Sequence, residues 1–324
     1  MILAGDIGGT STRLGLFKRD FGQIKPIRTQ TFSSPNYHNL AAIVKDFLVN
    51  QCGDIASACF GIAGPVRHGR VAAPNLAWET DAKSLARELK LPMVKLVNDL
   101  EANAHGIVAL KPDDFVTLQT GDSCTQGNGA VISVGTGLGE AGMYWNGNAH
   151  LPFACEGGHT DFAPRDEMEC ELLTYLRSRF GRVSYERVLS GNGQLWLYEF
   201  LRDVKKHLES PAIAEAMRLN NPSAVITRAG LAGECELCVH ALDWYVSLYG
   251  AEAGNLALKM MATGGVYIGG GIAPRIIEKL KKPVFLDAFL AKGRMRPLLE
   301  SIPVRVIMKD TTALLGAARL AANL

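Results

Sequence analysis

The stretch "GDIGGTSTR", residues 5–13, decides how the amino-terminal part of the chain is interpreted. Its glycines, acid and hydroxyl side chains suit a phosphate site, but the lysine of a P-loop is missing. The residues that follow, "RLGLFK" at 13–18, have the pattern of a strand, whereas a dinucleotide-binding loop would open a helix. The stretch therefore predicts a hairpin bend at which Gly5, Ile7, Gly8, Gly9 and Thr10 bring backbone amides close to an anion.

Asp6 does not suit a bare anion, because its carboxylate would repel phosphate. It fits if Mg²⁺ accompanies the phosphate and is held by Asp6 directly or through water. The alternative for the whole stretch is an ordinary tight hairpin without a ligand.

The sequence pattern around this stretch predicts an α/β protein. Apolar runs at 1–7, 13–18 and 27–32 predict an antiparallel meander of three strands, followed by an amphipathic helix within 37–49. Further strands are predicted at 56–64 and 93–97. Thr80 and Asp81 are predicted to cap a helix that ends at Leu89, and another helix is expected over about 100–110.

A second unit repeats this pattern. The runs "AVISV" at 130–134 and "GEAGMYW" at 139–145 flank Gly135-Thr136-Gly137, as the first strands flank Gly8 and Gly9. The repeat predicts two related domains with a cleft between them. Residues 166–262 are expected to be mostly helical, and strands at 264–272 and 304–308 precede a carboxy-terminal helix.

A third glycine cluster, Gly269-Gly270-Gly271, follows another buried strand. Each cluster alone is typical of a turn. Together the three clusters suggest one nucleotide held at several points. Its phosphates would meet the first two clusters, including Thr136, and its adenosine would lie against the third.

Asn98 and Asp99 end one predicted strand and begin a helix. The simpler interpretation is an Asx cap on that helix. The alternative is a carboxylate at the carboxyl end of a strand, where Asp99 could accept a proton from a hydroxyl that attacks phosphorus.

The segment "CEGGHTDF", residues 155–162, places Glu156 and His159 three residues apart. Two intervening glycines disfavour a helix with Glu-x-x-His metal ligands, so we predict a loop in which both side chains bind a polyhydroxylated ligand. The alternative is a pair satisfied within the loop. Nothing in the local sequence decides the role of Glu186.

Composition limits the partners. The 324 residues carry a net charge of +2, which argues against nucleic acid or a membrane surface as a partner. The chain has seven cysteines, an odd number consistent with reduced thiols, and the Cys235-x-x-Cys238 pair lacks a second pair for zinc. Without a basic leader or an apolar run of about 20 residues, we expect a cytoplasmic protein.

Together these segments resemble the bacterial glucokinase family of the actin/sugar-kinase/Hsp70 superfamily, nearly end to end. "VNDLEA", "EGGHTDFAP" and "SYERVLSG" resemble the family's sugar-site segments, and "GDIGGTSTR", "GTGLG" and "GGVYIGGGIAPR" resemble its nucleotide motifs. The resemblance implies an α/β, two-domain, ribonuclease-H-like (actin-like ATPase) fold with an interdomain cleft. Residues 1–109 plus 302–324 would form the smaller α/β domain, and 110–301 the larger α+β domain.

The resemblance also implies ATP-dependent phosphorylation of glucose, with Asp99 as general base and ATP and Mg²⁺ bound. The residues implied to contact glucose are Asn98, Gly137, Glu156, His159 and Glu186. Thr136 would contact phosphate, and Gly269–Gly271 the adenosine. For Arg13, we favour a structural salt bridge near the loop over a phosphate contact.

One departure separates this chain from the related ROK sugar kinases, which carry a cysteine-rich zinc segment after E-x-G-H. Here the segment directly after His159, "TDFAPRDEMECELL" at 160–173, contains only Cys170, so no structural zinc is expected. A homodimer is expected from the family. Two alternatives stay open, a kinase for another hexose such as mannose or fructose, and a non-catalytic sugar-binding sensor.

Overall fold

The computed structural model describes residues 1–21, 23–49, 51, 53–72, 78–122 and 126–324. Cys52 and Cys124 lie outside these residues. The described part contains a five-stranded sheet in the order β3-β2-β1-β4-β7 and a six-stranded sheet in the order β11-β10-β9-β12-β13-β8. The strands of the first sheet are β1 (Ile2–Ile7), β2 (Ser11–Asp20), β3 (Gln23–Ser33), β4 (Ser57–Ile62) and β7 (Val94–Asn98). Those of the second are β8 (Phe115–Gln119), β9 (Gly129–Val134), β10 (Leu138–Trp145), β11 (His150–Cys155), β12 (Gly265–Gly269) and β13 (Val304–Ile307).

The two sheets repeat one arrangement. In the first, β2 lies antiparallel to both β1 and β3, while β4 and β7 continue parallel to β1. In the second, β10 lies antiparallel to both β9 and β11, while β12 and β13 continue parallel to β9. The predicted meander and the predicted internal repeat are therefore confirmed. Two short strands, β5 (Arg70–Ala72) and β6 (Glu79–Asp81), pair separately.

Helices cover both sheets. They are α1 (Leu40–Phe47), α2 (Ala82–Leu89), α3 (Asp99–Ile107), α4 (Glu167–Phe180), α5 (Tyr185–Val188), α6 (Gly191–Asp203), α7 (Pro211–Leu219), α8 (Pro222–Ala232), α9 (Glu236–Met260), α10 (Ile277–Leu280), α11 (Pro283–Leu290), α12 (Arg296–Ser301) and α13 (Thr312–Ala322). One apolar core lies between the first sheet and α1 and α2, and a second joins that sheet to α13. The largest core packs helices α4 to α12 against the second sheet. No helix in the described ranges is long and apolar enough to cross a membrane.

Capping side chains set where the predicted helices begin. Asn39 accepts a hydrogen bond from the backbone N–H of Ala42 at 2.8 Å, so α1 begins at Leu40, inside the predicted range. Asp81 caps α2 as predicted, by accepting from Ser84 N–H at 2.8 Å. The helix predicted over about 100–110 begins one residue earlier, at Asp99, and ends at Ile107.

Helix α3 lies between the two sheets and packs closely on α13. A Cβ on Gly316 would lie 1.7 Å from the backbone oxygen of Ala102, and a Cβ on Gly106 would lie 2.0 Å from that of Thr312. Other side chains of α3 pack in a core shared with β9 and β10 of the second sheet. The amino terminus of α3, with Asp99, is thereby fixed between the two sheets.

Candidate active site

Two adjoining cavities lie beside the glycine turns. The smaller has a volume of about 690 Å³ and the larger about 1120 Å³. Thr10, Gly135 and Thr136 line both, so the cavities meet at the first two glycine turns. The predicted site residues that line the smaller cavity are Gly8, Gly9, Thr10, Asn98, Asp99, Thr136, Gly137, Glu156, His159 and Glu186. The structure thus brings the predicted sugar site and the predicted phosphate turns together.

The first glycine turn joins β1 to β2 in a hairpin, as predicted. Gly8 N–H donates to the carbonyl of Ser11 at 2.9 Å and closes the turn. Ser34 donates through Oγ to the carbonyl of Gly8 at 2.7 Å. Its Oγ also lies 2.9 Å from Oγ1 of the buried Thr12, so a buried hydroxyl pair supports the turn from behind. Gly5 and Ile7 are buried within β1 and line neither cavity.

The second glycine turn joins β9 to β10. Gly135 N–H donates to the carbonyl of Gly137 at 2.9 Å, and the N–H of Gly191 donates to Gly135 at 2.9 Å. The Oε2 of Glu186 accepts from Leu138 N–H at 3.1 Å, and a Cβ on Gly137 would lie 2.4 Å from that oxygen. Glu186, whose role the local sequence left open, is therefore held against this turn.

The third glycine cluster is divided by the fold. Gly269 ends β12, and Gly270 adopts φ +85°, with its Cβ position only 2.3 Å from the backbone oxygen of Val134. Gly271 lines the larger cavity, whereas Gly269 and Gly270 do not. The first two glycines allow the tight turn and the close packing, and the third faces the cavity.

Asp6 lies at the carboxyl end of β1, opposite Arg13 in β2. Arg13 forms an ion pair with Asp310 at 2.8 Å, as predicted, and donates to its backbone oxygen at 2.6 Å. Burial raises the pKa of Asp6 to about 6, although the positive charge of Arg13 opposes the shift.

Asn98 has the capping role that was the simpler prediction. Its Oδ1 accepts from Leu100 N–H at 2.9 Å and Glu101 N–H at 3.2 Å, and its amide donates to the carbonyl of Gly64 at 3.2 Å. Because the cap orients the start of α3, Asp99 follows as its first residue and lines the smaller cavity. Burial raises the pKa of Asp99 to about 7, and the negative charge of Asp6 adds to the shift.

Glu156 and His159 lie on a loop with one 3-10 turn, Gly157–His159, as the intervening glycines predicted. The Oε2 of Glu156 is 4.0 Å from Nε2 of His159, and both side chains are about half exposed, 46% and 54%. Arg182 donates to the carbonyl of His159 at 2.7 Å. These two side chains are open to a ligand in the smaller cavity, while the backbone beneath them is fixed.

The smaller cavity has further lining residues that were not predicted from the sequence, and two of these contributors are informative. The turn Ala63–Pro65 follows β4 in the same strand–glycine pattern as the other turns, so that signal was present but not used. Glu140 also lines the cavity, although its side chain is 1% exposed. No local motif marks it, because its surroundings are formed by distant segments.

The comparisons with known proteins agree with this geometry. The family model described as glucokinase matches residues 3–324. The chain belongs to the glucokinase family. Glucokinase from Trichormus variabilis is 43% identical over 340 residues, covering 100% of this chain and 99% of the relative. Glucokinase from Marinobacter nauticus is 37% identical over 325 residues, covering 99% and 97%. The predictions of glucokinase-family membership and of a sugar kinase are confirmed.

Solved structures of glucokinases share the fold. The crystal structure of glucokinase from an Antarctic psychrotroph gives a TM-score of 0.83 at 30% identity and covers 100% of this chain and 99% of that one. A ROK family glucokinase from Streptomyces griseus, in complex with glucose and AMPPNP, gives 0.67 at 21% identity and covers the same shares of the two chains. The actin-like ATPase fold predicted for this glucokinase-family chain is confirmed.

Proposed function

We propose that the chain transfers the γ-phosphoryl group of ATP to the 6-hydroxyl of glucose, with Asp99 as the general base. The observation that carries the proposal is the junction of the two cavities at Thr10, Gly135 and Thr136. A sugar in the smaller cavity and a nucleotide in the larger would meet at glycine turns suited to phosphate, with Asp99 on the sugar side.

The acids and amides of the smaller cavity suit glucose hydroxyls. Glu156, His159 and Glu186 offer oxygen and nitrogen atoms that can accept or donate hydrogen bonds. Asn98 keeps one amide hydrogen beyond the bond to Gly64. Gly137 leaves the second turn without a side chain, so a sugar ring can approach Glu186 closely.

Asp99 is suited to accept the proton of the attacking hydroxyl. A base works best when its pKa lies near the operating pH, and burial brings the pKa of Asp99 to about 7. As the phosphoryl group moves in line, the amides of the first two turns would stabilise the developing charge. Closure of the cleft over the sugar would exclude water and limit ATP hydrolysis.

The larger cavity would bind the nucleoside of ATP. Gly271 borders it, and polar side chains from α6 and α8, including Asn192, Ser223 and Thr227, line its wall. The predicted adenosine contacts of Gly269 and Gly270 would be indirect, through the turn that presents Gly271.

Asp6 fits a role in holding Mg²⁺. Asp6 is the second-last residue of β1 and precedes Gly8 by two residues, and the burial that raises its pKa favours a neutralising cation. Bound Mg²⁺ would supply positive charge to the β- and γ-phosphates. Asp6 would hold the ion through water, since Mg²⁺ keeps several of its waters in proteins.

The absence of structural zinc stays a prediction. Purified protein should contain less than stoichiometric zinc by elemental analysis, because the segment after His159 lacks the cysteines of a zinc site. One tightly bound zinc per chain would contradict it.

We also propose a homodimer, a cytoplasmic location and the predicted division into two domains.

One strand bears on the domain boundary. Val304–Ile307 pairs with β12 and β8 in the second sheet, so a boundary between Ile307 and Thr312 fits the hydrogen bonding better than one at 302.

Coupled ADP-release assays across glucose, mannose and fructose test the proposed function. We expect glucose to give the highest kcat/KM. A higher value for another hexose would support the alternative kinase. No stimulation by any hexose, with sugar binding retained, would support the non-catalytic sensor.

A further inference from the structure

The carboxyl group of Glu140 lies directly beneath the turn that carries Glu156 and His159. Glu140 pairs with Cys155 across β10 and β11, and its side chain is 1% exposed. A Cβ on Gly157 would lie 1.8 Å from Oε2 of Glu140. The backbone of Gly157 therefore rests on this carboxyl group, and a side chain at this position would force the Glu140 carboxyl to move.

No ordinary donor in the described part of the chain reaches either carboxyl oxygen of Glu140. The carboxyl of Glu252, which is itself 0% exposed, is the acid that acts on Glu140, and its charge opposes ionisation of Glu140. Two carboxyl groups can form a hydrogen bond only when one of them keeps its proton. An ionised, unpaired carboxylate at this depth would be costly, so two buried acids that act on each other favour a shared proton.

The partners of Glu252 decide which acid is ionised. Its Oε1 accepts from Nζ of Lys259 at 3.0 Å, and its Oε2 accepts from Nδ2 of Asn255 at 2.8 Å. These donors stabilise a carboxylate on Glu252. Glu140, which lacks them, is then the neutral acid that donates to Glu252.

We propose that Glu140 and Glu252 share one proton beneath the Glu156–His159 turn, and that this acid pair positions the turn for sugar binding. The proposal rests on the proposed function, because it takes the turn to be part of the glucose site. Glu140 borders the smaller cavity, but its side chain is 1% exposed and lies against Gly157, so we treat it as a positioning residue that acts through the turn. Loss of the proton would place two carboxylates together under Gly157 and displace Glu156.

The surroundings of the pair support retention of the proton at neutral pH. Burial raises the pKa of Glu140 to about 8, and the charge of Glu252 adds to the shift while Lys259 opposes it. The other titratable groups that face the pair are Cys155, Tyr185, Tyr249 and Lys292. Lys292 approaches from the segment after α11 and donates to Oδ1 of Asn255 at 2.6 Å.

The first test is the pH dependence of glucose KM in the wild type and in Glu140→Gln. If only the protonated pair binds glucose well, KM for glucose rises about tenfold per pH unit above the pKa of the pair, while kcat at saturating glucose changes less. Glutamine can donate to Glu252 without a titrating proton. The variant should therefore keep its neutral-pH KM within about twofold and lose the alkaline rise.

Glu236→Gln, at an exposed position on the same helix as Glu252, should retain the wild-type rise. If KM for glucose still rises at alkaline pH in Glu140→Gln, another group titrates and the proposal is overturned. A wild-type KM for glucose that stays constant to about pH 9.5 would also overturn it, because no group then titrates.

The second test does not depend on activity. A carboxyl group whose pKa is raised on folding contributes stability that is complete below its unfolded pKa near 4.5 and is lost as pH rises through about 8. As the pH rises from about 4.5 to about 8, the Tm of Glu140→Gln should increase relative to the Tm of the wild type. A Tm difference between variant and wild type that does not change with pH would contradict the shared proton, even if glucose phosphorylation is confirmed. A Tm difference that grows with pH would support the shared proton, even if glucose is not the substrate. If Glu140→Gln does not fold, Glu252→Gln should lower the pH at which the Tm declines, because the charge of Glu252 no longer raises the pKa of Glu140.

Discussion

Two adjacent residues illustrate how a structural role and a proposed catalytic role share one helix start. Asn98 caps α3 and thereby fixes the backbone of Asp99, whose carboxyl lies in the cavity. The capping role could be predicted from the sequence, because Asx residues before a helix satisfy its free N–H groups. The raised pKa of Asp99 could not, since it depends on burial and on the charge of Asp6 from another strand.

Glu156→Ala tests the assignment of the sugar side of the site. Removing the carboxylate leaves a glucose hydroxyl without its acceptor, which costs about 1–3 kcal/mol in buried sites and corresponds to a rise in glucose KM of roughly 5- to 150-fold. Steady-state kinetics should show KM for ATP changed by less than about twofold. Equal losses for both substrates would remove Glu156 from the sugar site.

At the scale of elements, hairpins and caps were predictable, whereas the exposed edge strand β11 of the second sheet was not. The two glycine hairpins follow from apolar strands that flank glycine turns, and the structure has both. Strand β11 was missed, because Pro152 interrupts it and its exposed positions do not show an apolar pattern. The packing of α3 on α13 was also invisible, since small residues show close contact only once the distant helix is known.

Gly316→Ala tests that packing. The added Cβ would lie 1.7 Å from the backbone oxygen of Ala102, so α3 and α13 must separate, at a cost of about 1–3 kcal/mol. Urea unfolding should show this loss of stability. Gly191→Ala is the matched control, because its Cβ would be 3.6 Å from the nearest atom. Equal stability of Gly316→Ala and the wild type would refute the close helix contact.

At the scale of the whole molecule, two similar sheets hold two glycine turns that meet at a shared cavity wall. The internal repeat could be predicted from the strand–glycine–strand patterns. The residues of the sugar site were predicted from the resemblance of the motifs to the glucokinase family. Glu140 and its partner Glu252, 112 positions apart in the sequence, could not be connected before the fold was known. The arrangement supports a kinase in which α3 holds the base between the two halves.

The most direct test of Asp99 as general base is the rate of glucose 6-phosphate formation by Asp99→Asn at saturating ATP and glucose. Asparagine keeps the shape of the side chain but accepts no proton, so kcat should fall about 10²- to 10⁴-fold. The Tm of Asp99→Asn and its affinity for glucose should match those of the wild type. The control Asp113→Asn, at an exposed position, should have the wild-type kcat. A kcat for folded Asp99→Asn within a few-fold of wild type would contradict the role of Asp99.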